Sequence, residues 1–239
     1  MAGHNRWSQI KHKKAKEDVK KGKTFTKIIK EITLAAREGG GDPASNATLR
    51  TLLEKAKEAN MPQDNANRAI KRGIGELPGQ NYEAYTYEGY GPSGIAVMVD
   101  VLSDNKNRSV ADLRHLFSAN GGSLADSGAV SWMFEHLGVI RVLGSNLTED
   151  ALLEQLIEFP IHDVKKEDTG FVILCDAKAL DPVRKTVSGL TGIKIENAEL
   201  EWVAKNNISL QDADEEKAME FLSEIQDHED VKNVYTNLA

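Results

Sequence analysis

Apolar positions early in the chain recur every three or four residues. In TFTKIIKEITLAAREGGGDP (24–43), Phe25, Ile28, Ile29, Ile32 and Ala36 fall on one helical face, and the glycine run before Asp42-Pro43 ends it. SNATLRTLLEKAKEAN (45–60) repeats the pattern with Leu49, Leu52, Leu53 and Ala56, and NMPQDN turns the chain with Pro62 at a helix start. A short third helix is predicted in QDNANRAIKRG (63–73), closed by Gly73, with Arg68, Lys71 and Arg72 on its polar face. Residues 1–80 are thus expected to be an all-α helical bundle with a basic lead.

Beyond Pro78-Gly79 the period changes to that of strands. YEAYTYEGYGPSGIAVMVDVL (82–102) reads as a hairpin, NRSVADLRHLFSANGG (107–122) as a helix with Val110, Leu113 and Phe117 inward, and AVSWMFE (129–135) as a further strand. From GVIRVL (138–143) to KIENAELEWV (194–203) the order strand, helix, hairpin, helix, strand is that of a ferredoxin-like βαββαβ unit. Its first helix opens at Thr148, and its second is expected to take Asp181 as cap with Pro182 in the first position. DEEKAMEFLSEIQDHED (214–230) and VKNVYTN (231–237) supply a last helix and strand, which would complete the interrupted hairpin unit. The expected fold class is α+β multidomain. A basic helical domain (1–80) precedes two interlaced α/β, ferredoxin-like domains, one discontinuous (81–137 plus 207–239) and one inserted into it (138–206).

The chain of 239 residues is 40% hydrophobic and 28% charged, ordinary for a protein folding in water, and holds no apolar run near the ~18 residues of a membrane span. The opening MAGHNRWSQIKHKK has no apolar segment after its charges, so a secretory signal is not expected, and a lone cysteine, Cys175 in FVILCD, suits a buried strand in a reducing cytoplasm. Charge changes the picture more. Residues 1–80 carry 17 Lys+Arg against 9 Asp+Glu, and residues 81–239 carry 13 against 28, so a basic head precedes an acidic body. Nine lysines fall within KHKKAKEDVKKGKTFTKIIK (11–30). Such a head attracts a polyanion that the body repels, the balance expected of one-sided nucleic-acid binding.

Other chemistry finds little support. Gly22-Lys23-Thr24 ends like a phosphate-binding Walker loop, but Glu17 stands where its first glycine belongs, and a carboxylate there opposes a phosphate. TGFVILC (169–175) offers only Phe171 for base stacking. The six histidines are scattered without metal-ligand spacing, no G-x-S-x-G elbow occurs, and no carboxylate pair has a spacing that implies acid/base work. No enzyme activity, cofactor, metal or small-molecule substrate is expected. Lys106 and Arg108 in DNKNRS (104–109) precede a helix and are candidate secondary phosphate contacts; Arg6 and Trp7 in the basic lead are further candidate contacts, the Trp7 indole by stacking on a base.

MAGHNRWSQIKHKKAKEDVKKGKTFTKIIKEITLAAREGGGDP, ANMPQDNANRAIKRG, YEGYGPSGIAVMVDVLSDNKNRSVADLRHLFSANGGSL and GAVSWMF closely resemble the YebC/PmpR family, which includes the mitochondrial translational activator of cytochrome c oxidase subunit I. The resemblance is dense over about the first 140 residues and architectural beyond. It implies three domains and a cytoplasmic, non-enzymatic regulator. Some members are described as DNA-binding transcriptional regulators, others as translation factors acting on ribosomes stalled at proline-rich stretches, and both targets, DNA and rRNA or tRNA, stay open.

Residue chemistry narrows the mode of binding. Lys11, Lys13, Lys14, Lys16, Lys20, Lys21, Lys23, Lys27 and Lys30 are point charges suited to phosphates, whereas base readout favours planar groups such as Asn65, Asn67 and Arg68 on a docked helix. Backbone binding that neutralises ~5 phosphates gives a log–log salt slope near −4 to −5 on duplex DNA. Lys71 and Arg72 extend the same surface. No heptad or other dimer element marks an oligomeric state.

Overall fold

The computed structural model describes Trp7 and residues 22–144, 148–167 and 170–239. They form two compact units, one of the described residues up to Trp132 with Asn206–Ala239, the other of Met133–Lys205.

The first unit opens with three helices, α1 (Gly22–Gly39), α2 (Ala47–Glu58) and α3 (Gln63–Gly73). Ile28, Ile32 and Ala35 of α1, Leu49, Leu52 and Ala56 of α2, and Ala66 and Ala69 of α3 form one apolar cluster, following the periodicity in the sequence. Asn46 joins the first two helices. Its Oδ1 accepts the Leu49 N–H at 3.0 Å, capping α2, while its amide donates to the carbonyls of Ala35 and Gly40 at the end of α1. Small residues bring α3 against α1: a Cβ on Gly73 would lie 2.4 Å from the Thr33 carbonyl oxygen and 2.7 Å from the Ala36 Cβ.

The expected hairpin follows as β1 (Glu83–Tyr90) and β2 (Ala96–Ser103), then α4 (Lys106–Ala119) and β3 (Ser123–Ala125), which pairs with the far side of β1. Of the strand expected over 129–135 only Phe134 and Glu135 are extended, as the start of a strand in the other sheet, and β3 takes its place here. Glu88, buried on β1, accepts the N–H groups of Gly128, Val130 and Ser131 at 2.8 Å each. Backbone donors that a ladder would use are therefore committed to one carboxylate, and Ser131–Met133 makes a single 3-10 turn. Burial pushes the Glu88 carboxyl up, but the three N–H donors and the Ser131 hydroxyl outweigh it and hold the group below its ordinary value.

The second unit contains β4 (Phe134–Leu143), α5 (Glu149–Gln155), β5 (Ile161–Glu167), β6 (Gly170–Asp176), α6 (Leu180–Ser188) and β7 (Lys194–Ala204). Its sheet has the order β5-β6-β4-β7 with every neighbour antiparallel, the ferredoxin-like arrangement. Ile140, Val142, Phe171, Ile173 and Cys175 pack beneath Leu152, Leu156, Val183 and Val187. Thr148 caps α5 as expected, accepting the Ala151 N–H at 3.2 Å. Asp181 does not cap α6. That helix starts at Leu180 after a 3-10 turn, so Asp181 and Pro182 occupy its first turn, where a missing N–H has no helical partner to lose. Burial pushes the Cys175 thiol up to about 11, so it is a core residue rather than a nucleophile.

The chain then returns to the first unit as α7 (Asp212–Gln226) and β8 (Val231–Thr236), giving the sheet order β3-β1-β2-β8, again antiparallel throughout. Val97, Val99 and Val101 of β2 meet Leu113 and Phe117 of α4 and Phe221, Leu222 and Ile225 of α7. Phe117 and Phe221 pack edge to face with centroids 5.0 Å apart. Trp7 enters this core, 2% exposed, and its indole N–H donates to the Val234 carbonyl at 3.0 Å on the edge strand.

Gly73→Ala is expected to destabilise the protein by about 2 kcal/mol in urea denaturation, because α3 must move away from α1 to admit the methyl group. Glu88→Gln removes an ionised acceptor of three buried N–H groups, with an expected loss of about 1–3 kcal/mol near neutral pH. The Glu88 contribution is present above the ordinary glutamate value of ~4.3 and disappears as pH falls through the lower folded value. The gap between wild type and E88Q in urea denaturation therefore closes in acid.

Candidate nucleic-acid interface

The packing that buries Ala66 and Ala69 and sets Gly73 against α1 turns the opposite side of α3 outward. Arg68, Lys71 and Arg72 lie there at helical spacing, all exposed, with Asn67 exposed beside them. Arg68 is steered locally: its Nε donates to the Asp64 carbonyl at 3.2 Å and its Nη2 to Asn65 Oδ1 at 3.3 Å. This engages the Asn65 oxygen, so of the three side chains expected to read bases, Asn67 and Arg68 are the outward pair. Lys57 on α2 is also exposed, and Lys55 pairs loosely with Glu31 at 3.6 Å.

The lysines of the opening stretch divide. Arg6, Lys11, Lys13, Lys14, Lys16, Lys20 and Lys21 lie outside the described residues, and Lys23 falls in the first turn of α1. Lys27 and Lys30 have other employment than the expected phosphate contact. Lys27 Nζ donates to the Gln226 carbonyl at 2.5 Å. Lys30 Nζ donates to Asp230 Oδ1 at 2.6 Å and to the Glu229 carbonyl at 3.1 Å, with its side chain only 8% exposed. An ammonium so enclosed cannot reach a phosphate without breaking a buried ion pair.

Two residues expected as secondary contacts, Trp7 and Arg108, have partners within the protein, although the Arg108 side chain stays 40% exposed. Trp7 is a core residue rather than a stacking platform, because its ring is buried and its N–H is bonded. Arg108 is held by Asp230 and Asp104, each at 2.9 Å, and these hydrogen bonds, Asp230 first, raise its guanidinium above the ordinary value. Lys106 stays exposed, with Nζ 5.3 Å from the Tyr85 ring centroid.

Asp230 itself has no exposed side-chain surface. Burial pushes its carboxyl up, but Lys30, Arg108 and Ser109 outweigh that and hold it far below the ordinary carboxylate value. Ser103 Oγ and Ser109 Oγ donate to Oδ2 at 3.0 and 2.8 Å. Reading the sequence missed this cluster, since Asp230 stands in an acidic run with nothing to single it out. The signal that exists is on α1, where Lys27, Lys30 and Arg37 form a second periodic face beside the apolar one.

The opposite charge also has its place. A cleft beside α7 is lined by Asp212, Glu215, Glu216, Glu220, Glu224 and Asp227, a surface that repels a polyanion. Among the described residues no group of three His, Cys, Asp or Glu side chains is arranged to hold a metal ion, and no helix is long and apolar enough to cross a membrane.

Comparison with known proteins agrees with this division into helical and α/β parts. Residues 5–76 match the model of the TACO1/YebC protein N-terminal domain, and residues 82–238 match that of the TACO1/YebC second and third domain. The chain belongs to the TACO1/YebC family. Relatives named "Probable transcriptional regulatory protein" include one from Desulfosudis oleivorans, 48% identical over all of this chain and 97% of its own length. Another, from Nitratiruptor sp., is 49% identical over the whole of both chains. Among solved structures, a conserved hypothetical protein from Aquifex aeolicus superposes with a TM-score of 0.81 at 39% identity, covering 91% of this chain and 90% of that one. The fold described above is thus that of a TACO1/YebC protein.

Proposed function

We propose that this protein is a non-enzymatic regulator of gene expression that binds DNA, through the phosphate backbone first, in the cytoplasm. The observation that carries the reading is the exposed Arg68–Lys71–Arg72 stripe on α3, set in a region of net positive charge within a chain whose remainder is strongly negative. Phosphates attract such a stripe without regard to sequence, and the Arg68 guanidinium and Asn67 amide are the groups there able to hydrogen-bond base edges. The lysines at 11, 13, 14, 16, 20, 21 and 23 add charge to the same end of the sequence. Relatives across several bacteria carry the name of transcriptional regulatory proteins, which favours DNA over RNA as the target.

Reversing Arg68, Lys71 and Arg72 together to Glu is expected to weaken duplex DNA binding at least about tenfold. The log–log salt dependence should flatten by roughly 3, since each phosphate left without its cation takes ~0.9 from the slope. Fluorescence anisotropy titration over a salt series reads both, and the melting temperature should hold because the three side chains are exposed. Lys13, Lys14, Lys20 and Lys21 changed together to Glu should abolish binding. Unchanged affinity in both folded variants overturns the interface. Ultraviolet crosslinking in cells decides the target: promoter DNA is the expected recovery, and ribosomal or transfer RNA would replace transcription with translation.

A further inference from the structure

Among the described residues, the apolar core of the helices and that of the first sheet are separate clusters, with no buried residue in common. Helix α1 packs extensively on α2 and α3 but only sparsely on the strands of its unit. What joins them is a polar seam. Lys27, Lys30 and Arg37 recur along one side of α1, and each ends on an acceptor outside α1–α3: the Gln226 carbonyl at the end of α7, Asp230 with the Glu229 carbonyl, and the Tyr82 carbonyl. The Lys30 ammonium also lies 5.7 Å from the Tyr82 ring centroid.

Asp230 is the fixed point of this seam. Its carbonyl accepts the Leu102 N–H at 2.8 Å and its own N–H donates to His228 Nδ1 at 3.2 Å, so sheet and turn hold its backbone from both sides. Arg108, Ser103 and Ser109 aim the carboxylate, and Lys30 Nζ meets it at 2.6 Å. Apolar side chains of equal volume stabilise a buried site as well as or better than an ion pair does, but they let the two surfaces slide. A charged hydrogen bond accepts only a narrow range of distance and angle. Because Ala66, Ala69 and Gly73 lock α3 onto α1, whatever fixes α1 also fixes the stripe on α3.

We propose that Asp230, through Lys30, is a positioning residue that sets the angle at which the helical region is carried on the first sheet, contributing orientation rather than stability. Its consequence for binding rests on the reading of the α3 stripe as the nucleic-acid interface; the orientation itself does not.

The test is a distance distribution measured by double electron–electron resonance on full-length protein spin-labelled through Lys57→Cys on α2 and Lys217→Cys on α7, both exposed positions, with buried Cys175 left unlabelled. The parent should give one narrow distribution. In the pair Lys30→Met with Asp230→Leu, which removes both members of the buried ion pair and leaves Arg108 on Asp104 and the Ser109 hydroxyl on the Asn105 carbonyl, the width should grow about twofold. A width equal to the parent's overturns the proposal, whether or not the thermal midpoint falls. Should that pair fail to fold, Asp230→Asn, which keeps the side-chain shape, decides by the same widths. Duplex DNA affinity measured on the same variants separates the two readings: broadening with weakened affinity supports both, and broadening with unchanged affinity supports the orientation role while removing its consequence for binding.

Discussion

A carboxylate with no exposed surface must be met by charge, and Asp230 is met by Lys30 and Arg108 with two serine hydroxyls. Leaving it partly matched would cost several kcal/mol, so the elements that bear its partners are compelled to converge. They are α1 and the turn that leads from the end of β2 into α4, two stretches from separate parts of the sequence. The hydrophobic effect builds each core of the first unit, being indifferent to direction. The Asp230 cluster supplies the direction.

That constraint also sorts the positive charge. A run of nine lysines looks uniform in the sequence, yet α1 has a periodic inner face on which Lys27 and Lys30 serve the protein's own acceptors. Charge available to a partner is found instead on α3, whose small residues press it against α1 so that long side chains can only stand outward. Thus Ala66, Ala69 and Gly73 contribute to the basic surface although none of them carries charge.

How much was legible follows the range of the interactions. The three helices, the first hairpin and the ferredoxin-like order of the second unit are governed by local periodicity and turn chemistry, and they appear where the pattern puts them. The strand expected over 129–135 failed as far as Met133 because Glu88, some forty positions earlier, captures its donors. Gly138 invites a break between WMFE and GVIRVL, yet β4 runs through it. A Cβ there would meet Cys175 Sγ at 2.8 Å, so the glycine admits a close neighbour rather than a turn. Trp7 could be weighed as a stacking group only because its acceptor, the Val234 carbonyl, stands 227 positions away. Of the candidate interface, the α3 stripe was legible from composition and spacing; the burial of Lys30 was not, since it depends on an acid at the other end of the chain.

On the proposed reading, the acidic face of α7 would give the basic surface its selectivity. Exposed charges interact over roughly 8 Å at physiological salt, so carboxylates such as Glu216, Glu220 and Glu224 weaken only a phosphate contact made within about that distance of them. They act on whatever approaches α7 itself. A polyanion arriving in the wrong orientation meets repulsion there, while one arriving at α3 meets Arg68, Lys71 and Arg72. If the protein binds DNA as proposed, its net charge of −7 makes long-range attraction weak, and affinity would have to come from contact at the stripe and the lysine lead. Orientation of the helical region then becomes part of affinity, because short-range contacts reward only the geometry in which several phosphates are met at once.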